Sequence, residues 1–129
     1  MNAAKELWNR LDEILQVEAN PVDKTGIGKL NRLAKKGFPE INAISYEINH
    51  ENSNIELVKE LSVASLGEYR LAHNKKGARA EENPLIIICW GGVNYIIDGT
   101  HRVNSWISDN YSGSFSAIII TPNKGSGIE

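Results

Sequence analysis

The chain has 129 residues, of which 41% are hydrophobic and 23% charged, and its formal net charge at pH 7 is −2. This length corresponds to one domain, and it can bury enough apolar surface to fold without disulfides or a structural metal. The near-average composition excludes collagen-like, coiled-coil and disordered chains. The slightly acidic balance argues against a protein whose whole surface is basic and binds nucleic acid.

Cys89 is the single cysteine, so the chain can form no internal disulfide and no cysteine-based zinc site. The longest apolar run, Leu85–Trp90, is far shorter than the roughly 20 residues that a membrane helix needs. The first residues lack the basic and then apolar layout of a signal peptide. We therefore expect a cytoplasmic protein with no membrane contact, or a domain delivered to the cytoplasm if it is part of a secreted toxin.

The N-terminal part of the chain predicts two helices. Apolar residues recur at helical spacing from Leu7 to Leu15, and Pro21 ends this helix because the residue before a proline is biased away from helical ψ. A second, shorter helix is predicted over about Lys29–Lys36. It stops at Gly37, a residue type that is favoured just after helices.

Beyond these helices the hydrophobic period changes to two. Alternation at Ile44, Tyr46 and Ile48 predicts a half-buried strand, and Ile55–Val63 predicts another. The run Leu85–Trp90 is continuously apolar and therefore predicts a strand buried on both faces, with its cysteine in the core.

The C-terminal half predicts a hairpin, a helix and a last strand. Gly91-Gly92 supplies a tight turn from the apolar strand into Val93–Ile97. A helix follows from Thr100 to about Asn110, and Phe115–Ile120 forms the final strand.

These elements predict an α+β fold, a small mixed sheet with packed helices. Residues 1–129 are expected to form one domain. Residues 1–55 would be an N-terminal helical extension with the first strand, 56–120 the core, and 121–129 a frayed tail.

A functional site is expected where the second hairpin strand meets the following helix, in the sequence Asp98-Gly99-Thr100-His101-Arg102. A helix N-terminus has unpaired N–H groups and partial positive charge, which attract anions. Gly99 would let a ligand approach the backbone, and Thr100 would cap the helix or bind a phosphate oxygen. The basic residues His101 and Arg102 stand in the first turn, where positive charge opposes the helix dipole, so a bound anion explains them better than helix stability does.

The order of strand, hairpin, D-G-x-H-R motif and helix resembles the ParB/sulfiredoxin superfamily, whose members carry D-G-H-H-R, G-E-R-R or G-C-H-R at this junction. The resemblance covers about Leu61–Trp106 and includes a short lead-in strand, Leu61–Leu66, before a polar loop, Gly67–Asn83. It implies binding of a nucleotide or nucleic-acid phosphate. It also implies phosphoryl transfer or hydrolysis, as in nucleases, nucleotidases and some bacterial toxin domains.

The resemblance also implies roles for individual residues. Asp98 would be the catalytic base or a metal contact for Mg²⁺ or another divalent ion, assisted by His101 and Glu68. Phosphate would be bound by Gly99, Thr100, His101, Arg102 and Arg70. Sulfiredoxins carry their catalytic cysteine where this chain has Thr100, so reductase activity is disfavoured, and the chain ends too soon after the motif for a DNA-sliding clamp.

Each motif residue also has a simpler structural interpretation. Asp98 can simply end a strand, and Thr100 can serve as a helix cap without binding any ligand. The charged loop side chains can be exposed to solvent without a function, as at Glu68, Arg70 and His73. The alternative function is therefore a non-catalytic binding module, such as an immunity or adaptor protein. It would use the same scaffold with a protein partner.

Overall fold

A computed structural model of the chain describes residues 3–16, 25–44, 46–77, 83–111 and 113–123. These residues form three α-helices and five strands: α1 (Ala3–Gln16), α2 (Gly26–Gly37), α3 (Thr100–Ser108), β1 (Ser53–Leu61), β2 (Tyr69–Arg70), β3 (Leu85–Trp90), β4 (Val93–Asp98) and β5 (Phe115–Pro122). Two short 3₁₀ turns lie at Pro39–Ala43 and Ala64–Leu66. The prediction of an α+β fold is confirmed.

The strands form one mixed sheet in the order β1-β5-β3-β4-β2. The pairs β1–β5 and β3–β4 are antiparallel, whereas β3–β5 and β2–β4 are parallel. Because β3 and β5 run in the same direction, their first residues meet at one edge of the sheet, where Leu85 pairs with Ala117. The end of β4 and the start of α3 lie at this same edge, since Ile86 pairs with Asp98.

The central strand β3 supplies the core on both faces of the sheet. Ile86 and Ile88 belong to the larger cluster, with α1 and α2, whereas Leu85 and Ile87 belong to the smaller cluster, with α3. Side chains alternate along a strand, so a continuous apolar run is what a strand covered on both faces requires. Leu85–Ile88 are all buried, as predicted, but Cys89 is only half-buried.

The turn between β3 and β4 is the predicted hairpin. Gly91 and Gly92 have φ of +61° and +81°, the combination that a type I′ turn needs at its two central positions. This turn fixes the antiparallel register in which Trp90 faces Val93.

The prediction of a strand at Ile44–Ile48 is wrong. Ile44 and Ile48 are buried, as the alternation implied, but no described residue between them is in a strand. The Ile48 N–H donates to Asn31 Oδ1 at 2.9 Å, and Asn31 Nδ2 donates to the Ile48 carbonyl at 3.2 Å. The Asn31 side chain of α2 thus makes the hydrogen bonds to the Ile48 backbone that a neighbouring strand would otherwise have made.

The loop before β3 also differs from the prediction. The lead-in Leu61–Leu66 is the end of β1 followed by a 3₁₀ turn, and the strand of this region is instead β2, within the stretch predicted to be loop. The two residues of β2 pair with Asn94 and Tyr95 on the outer side of β4.

Two boundaries also differ from the sequence prediction. Helix α2 begins at Gly26, because the Thr25 side chain accepts a hydrogen bond from the Gly28 N–H, which is a typical N-cap. Strand β5 continues through Pro122, into the segment predicted to be a frayed tail. The predicted helix end at Pro21 lies outside the described residues.

Candidate functional site

Gly99 joins β4 to α3, and its surroundings require a glycine. It is the N-cap of α3, with φ of +105°, which other residue types rarely adopt. A Cβ at this position would overlap the Leu85 side chain and lie 3.1 Å from Arg102 Nη2. The space beside the Gly99 Cα is therefore filled by two side chains of the protein itself.

Thr100 is the first residue of α3 and is 6% exposed. Its hydroxyl donates to the Ile96 carbonyl of β4 at 3.4 Å, and the N-cap of the helix is Gly99. Thr100 therefore does not have the predicted capping role. Its described contact is with the end of the preceding strand.

Arg102 is buried against the same junction, with 6% of its side chain exposed. Its Nη1 donates to the Asn83 carbonyl at 2.7 Å, and its Nη2 lies 3.9 Å from Asp98 Oδ2. The Asp98 side chain is 30% exposed. Two of the predicted site residues, Asp98 and Arg102, are therefore brought together as a loose ion pair across the junction of β4 and α3.

A cavity of about 160 Å³ lies beside Arg102, between α3 and the start of β5. Its remaining lining residues are Asn83, Trp106, Tyr111, Ser114, Phe115 and Ser116. The Trp106 ring is stacked with two others, with its centroid 4.7 Å from that of Phe115 and 5.4 Å from that of Tyr111. The cavity thus combines a buried cation and small polar groups with an aromatic wall.

Sequence reasoning missed most of this cavity. Trp106 follows Arg102 by four residues, so helical spacing predicts that the two share a face. Phe115 and Ser116 reach the cavity only because β5 pairs in parallel with β3, and local sequence carries no signal for that pairing.

His101 lies on a different flank of α3 from Arg102, since consecutive helical residues are about 100° apart. Its ring centroid is 4.4 Å from that of His73, a residue of the loop after β2. Burial, then the charges of His101 and Lys75, lower the pKa of His73 below its ordinary value. The structure therefore joins His101 to His73, at a position distinct from the cavity.

Glu68 and Arg70 lie near the other end of β4. They form an ion pair of 2.8 Å with side chains 58% and 47% exposed. The Asn94 N–H donates to the Glu68 carbonyl, and Asp98 is four residues further along β4, roughly 13 Å at 3.3 Å per residue. The structure does not bring either residue to the Asp98–Arg102 pair.

Asp98 is the residue that the sequence predicts to contact a divalent metal ion. Magnesium sites are built from carboxylates, carbonyl oxygens and water, whereas Asp98 faces the Arg102 cation at 3.9 Å. Within the described ranges, no group of three or more His, Cys, Asp or Glu side chains is arranged to hold a metal.

No family model, curated protein or solved structure matches the chain. Among the described residues, no helix has the length and apolar character needed to span a membrane.

Proposed function

We propose that the protein binds a phosphate group of a nucleotide or nucleic acid in the cavity at Arg102, on a scaffold related to the ParB/sulfiredoxin superfamily. The observation that carries this proposal is a guanidinium, 6% exposed, that lines a cavity with Asn83, Ser114 and Ser116. Arginine presents N–H donors in a planar fork that matches phosphate.

The size of the cavity limits what it can take. A volume of about 160 Å³ is similar to a cavity that holds one benzene molecule, and it is well below the roughly 300 Å³ or more of a pocket that encloses a drug-sized ligand. A single phosphate group fits this space, while the sugar and base would remain outside. The Trp106 ring already stacks with the rings of Phe115 and Tyr111, and these rings compete with a base for contact with it.

Binding without catalysis is the form of this function that the geometry favours. The two predicted acidic groups lie at opposite ends of β4, and each is beside an arginine: Asp98 near Arg102 and Glu68 near Arg70. General-base catalysis needs a carboxylate within reach of the attacking oxygen, and Glu68, the second predicted acid, does not lie near the Asp98–Arg102 pair. Phosphoryl transfer or hydrolysis, and a toxin or immunity partner, remain predictions from the resemblance.

The test is a titration of the ¹⁵N-labelled protein with inorganic phosphate, AMP and a 5′-phosphorylated oligonucleotide, followed by NMR. We expect shift changes that concentrate at Asn83, Arg102, Trp106 and Ser116. Arg102→Lys keeps the charge but loses the planar fork, and it should weaken binding about 10- to 150-fold, the loss of roughly 1.5–3 kcal/mol for a charge-assisted hydrogen bond.

Arg10→Lys is the matched control, because Arg10 is an exposed arginine on α1. It should bind each probe as the unmodified protein does. Equal affinity of the Arg102→Lys protein, checked to be folded by its amide spectrum, would contradict the proposal. Shifts that appear only with the oligonucleotide and spread over exposed lysines would indicate a nonspecific electrostatic contact instead.

A further inference from the structure

The segment His73–Gly77 lies along the flank of α3 that is opposite to the cavity side, and hydrogen bonds attach it there. Asn104 Nδ2 donates to the carbonyls of His73 and Lys75, at 2.9 and 3.2 Å. The Gly77 N–H donates to Ser105 Oγ at 3.1 Å. These contacts join the segment to α3 through polar groups that lie at or near the surface.

The His73 side chain is held at the centre of this contact in a defined tautomer. Its Nδ1 accepts a hydrogen bond from the Lys75 N–H at 3.1 Å, so in the neutral ring the proton is on Nε2. The ring centroid lies 4.4 Å from that of His101 on α3. A Cβ on Gly77 would lie 3.3 Å from the His101 ring, so the segment closes tightly over this imidazole.

We propose that the contact of His73 with His101 is a proton-operated latch, which holds the segment His73–Gly77 on α3 while His73 is neutral and releases it when His73 is protonated.

A proton on His73 conflicts with the neighbours of its ring that the structure describes. Protonated Nδ1 becomes a donor and faces the Lys75 N–H, another donor, so their hydrogen bond is lost. The new charge lies against the His101 ring from α3 and near the Lys75 ammonium from its own segment. A further cation of the segment, Lys76, lies at the helix, where its Nζ donates to Ser108 Oγ at 2.6 Å.

The direction of the pH effect follows from these neighbours. Burial, His101 and Lys75 all lower the pKa of His73 from its ordinary value of 6.5, so the closed segment binds this proton more weakly than the open one. The stabilisation of the closed form is complete above about pH 6.5, where both forms are neutral. It declines as the pH falls through the lowered pKa.

Hydrogen exchange of individual amides tests the latch on the full chain. The protection factors of the Gly77 and Lys75 N–H groups, each corrected for the intrinsic rate at that pH, should fall between pH 7.5 and pH 5.0. One linked proton limits the change to about tenfold per pH unit. The Ile87 N–H in the central strand exchanges through global unfolding, so its protection should remain well above that of Gly77 and Lys75 at pH 5.0, because the latch releases the segment and leaves the sheet folded.

His73→Asn is the decisive variant, because its amide oxygen can accept the Lys75 N–H as Nδ1 does but does not titrate in this range. Its segment should remain protected down to pH 5.0. The control is His50→Asn, since His50 contacts Trp8 and should leave the pH response unchanged. Protection that is independent of pH in the unmodified protein, or a pH response that persists in His73→Asn, would overturn the proposal.

Discussion

The Leu85 side chain occupies the space beside the Gly99 Cα where any other residue would carry its Cβ. The glycine of the D-G-x-H-R motif is thus explained by the packing of α3 against β3. A sequence motif of this kind predicts a ligand at the backbone, but at this junction the close neighbour is an apolar residue of the core.

Gly99→Ala should lower the free energy of unfolding by about 2–5 kcal/mol. About 1–2 kcal/mol comes from the positive φ, and about 1–3 kcal/mol comes from overpacking against Leu85. Urea denaturation measures the loss. Gly91→Ala is the matched control, since Gly91 also has a positive φ but no atom within 4 Å of its added Cβ. Equal losses in the two variants would show that Leu85 imposes no restriction.

How much the sequence predicts depends on how local the responsible contact is. The strand β3, its diglycine turn and the start of α3 were predicted, because apolar runs and turn glycines act on their own neighbourhood. The irregular chain at Ile48 was not, because the partner that replaces a strand is Asn31, 17 residues earlier.

In the candidate site, too, contacts between residues close in sequence could be predicted, whereas contacts between distant residues could not. Asp98 and Arg102 are four residues apart across the junction of β4 and α3, so their closeness could be expected from the motif itself. The separation of His101 from Arg102 was also predictable, because adjacent helical residues point about 100° apart. The contact of His101 with His73 depends instead on how the loop after β2 returns over α3, and local pattern does not encode it.

Asn31→Ala should destabilise the protein by about 2–6 kcal/mol. The Ile48 residue is 0% exposed, and each of its backbone groups left without a partner costs about 1–3 kcal/mol. Asn31→Asp retains the acceptor for the Ile48 N–H but places a carboxylate oxygen against the Ile48 carbonyl at a position only 7% exposed, so its loss in urea denaturation should be at least as large. Asn42→Ala, at an exposed position of the 3₁₀ turn, is the control, and a similar loss there would contradict this explanation.

Asp98→Asn should strengthen phosphate binding about three- to tenfold. The Asp98 carboxylate lies 3.9 Å from the Arg102 guanidinium and therefore repels an anion that approaches the same cation. Removal of one charge near a protein surface changes such an interaction by roughly 1 kcal/mol. Calorimetric titration with inorganic phosphate measures the gain, and salt should reduce it.

The same variant separates binding from catalysis. If Asp98 were a general base, Asp98→Asn would lose turnover by a factor on the order of 10² or more in nuclease and nucleotidase assays. Tighter phosphate binding without any loss of activity in those assays supports the binding module. Weaker phosphate binding in Asp98→Asn would show that Asp98 positions Arg102 for the ligand.

Ionisation of the buried Tyr95 phenol should lower the free energy of unfolding of the protein at alkaline pH. Its side chain is 3% exposed, and its ring centroid lies 5.1 Å from that of Phe38. Burial, followed by the charge of Glu40, raises the pKa of the Tyr95 phenol above its ordinary value of 10.0. Arg70 opposes this effect, whereas Glu68 adds to it.

The sign of this effect follows from the raised pKa. The folded protein holds the phenolic proton more tightly than the unfolded chain, so the stabilisation is complete below about pH 10. It declines as the pH rises through the raised pKa.

We expect the free energy of unfolding in urea to fall by up to about 1.4 kcal/mol per pH unit from this one group. Tyr95→Phe should flatten that decline, and Tyr69→Phe, which changes the neighbouring half-buried tyrosine of β2, should retain it. An equally steep decline in Tyr95→Phe would assign the alkaline instability to other groups.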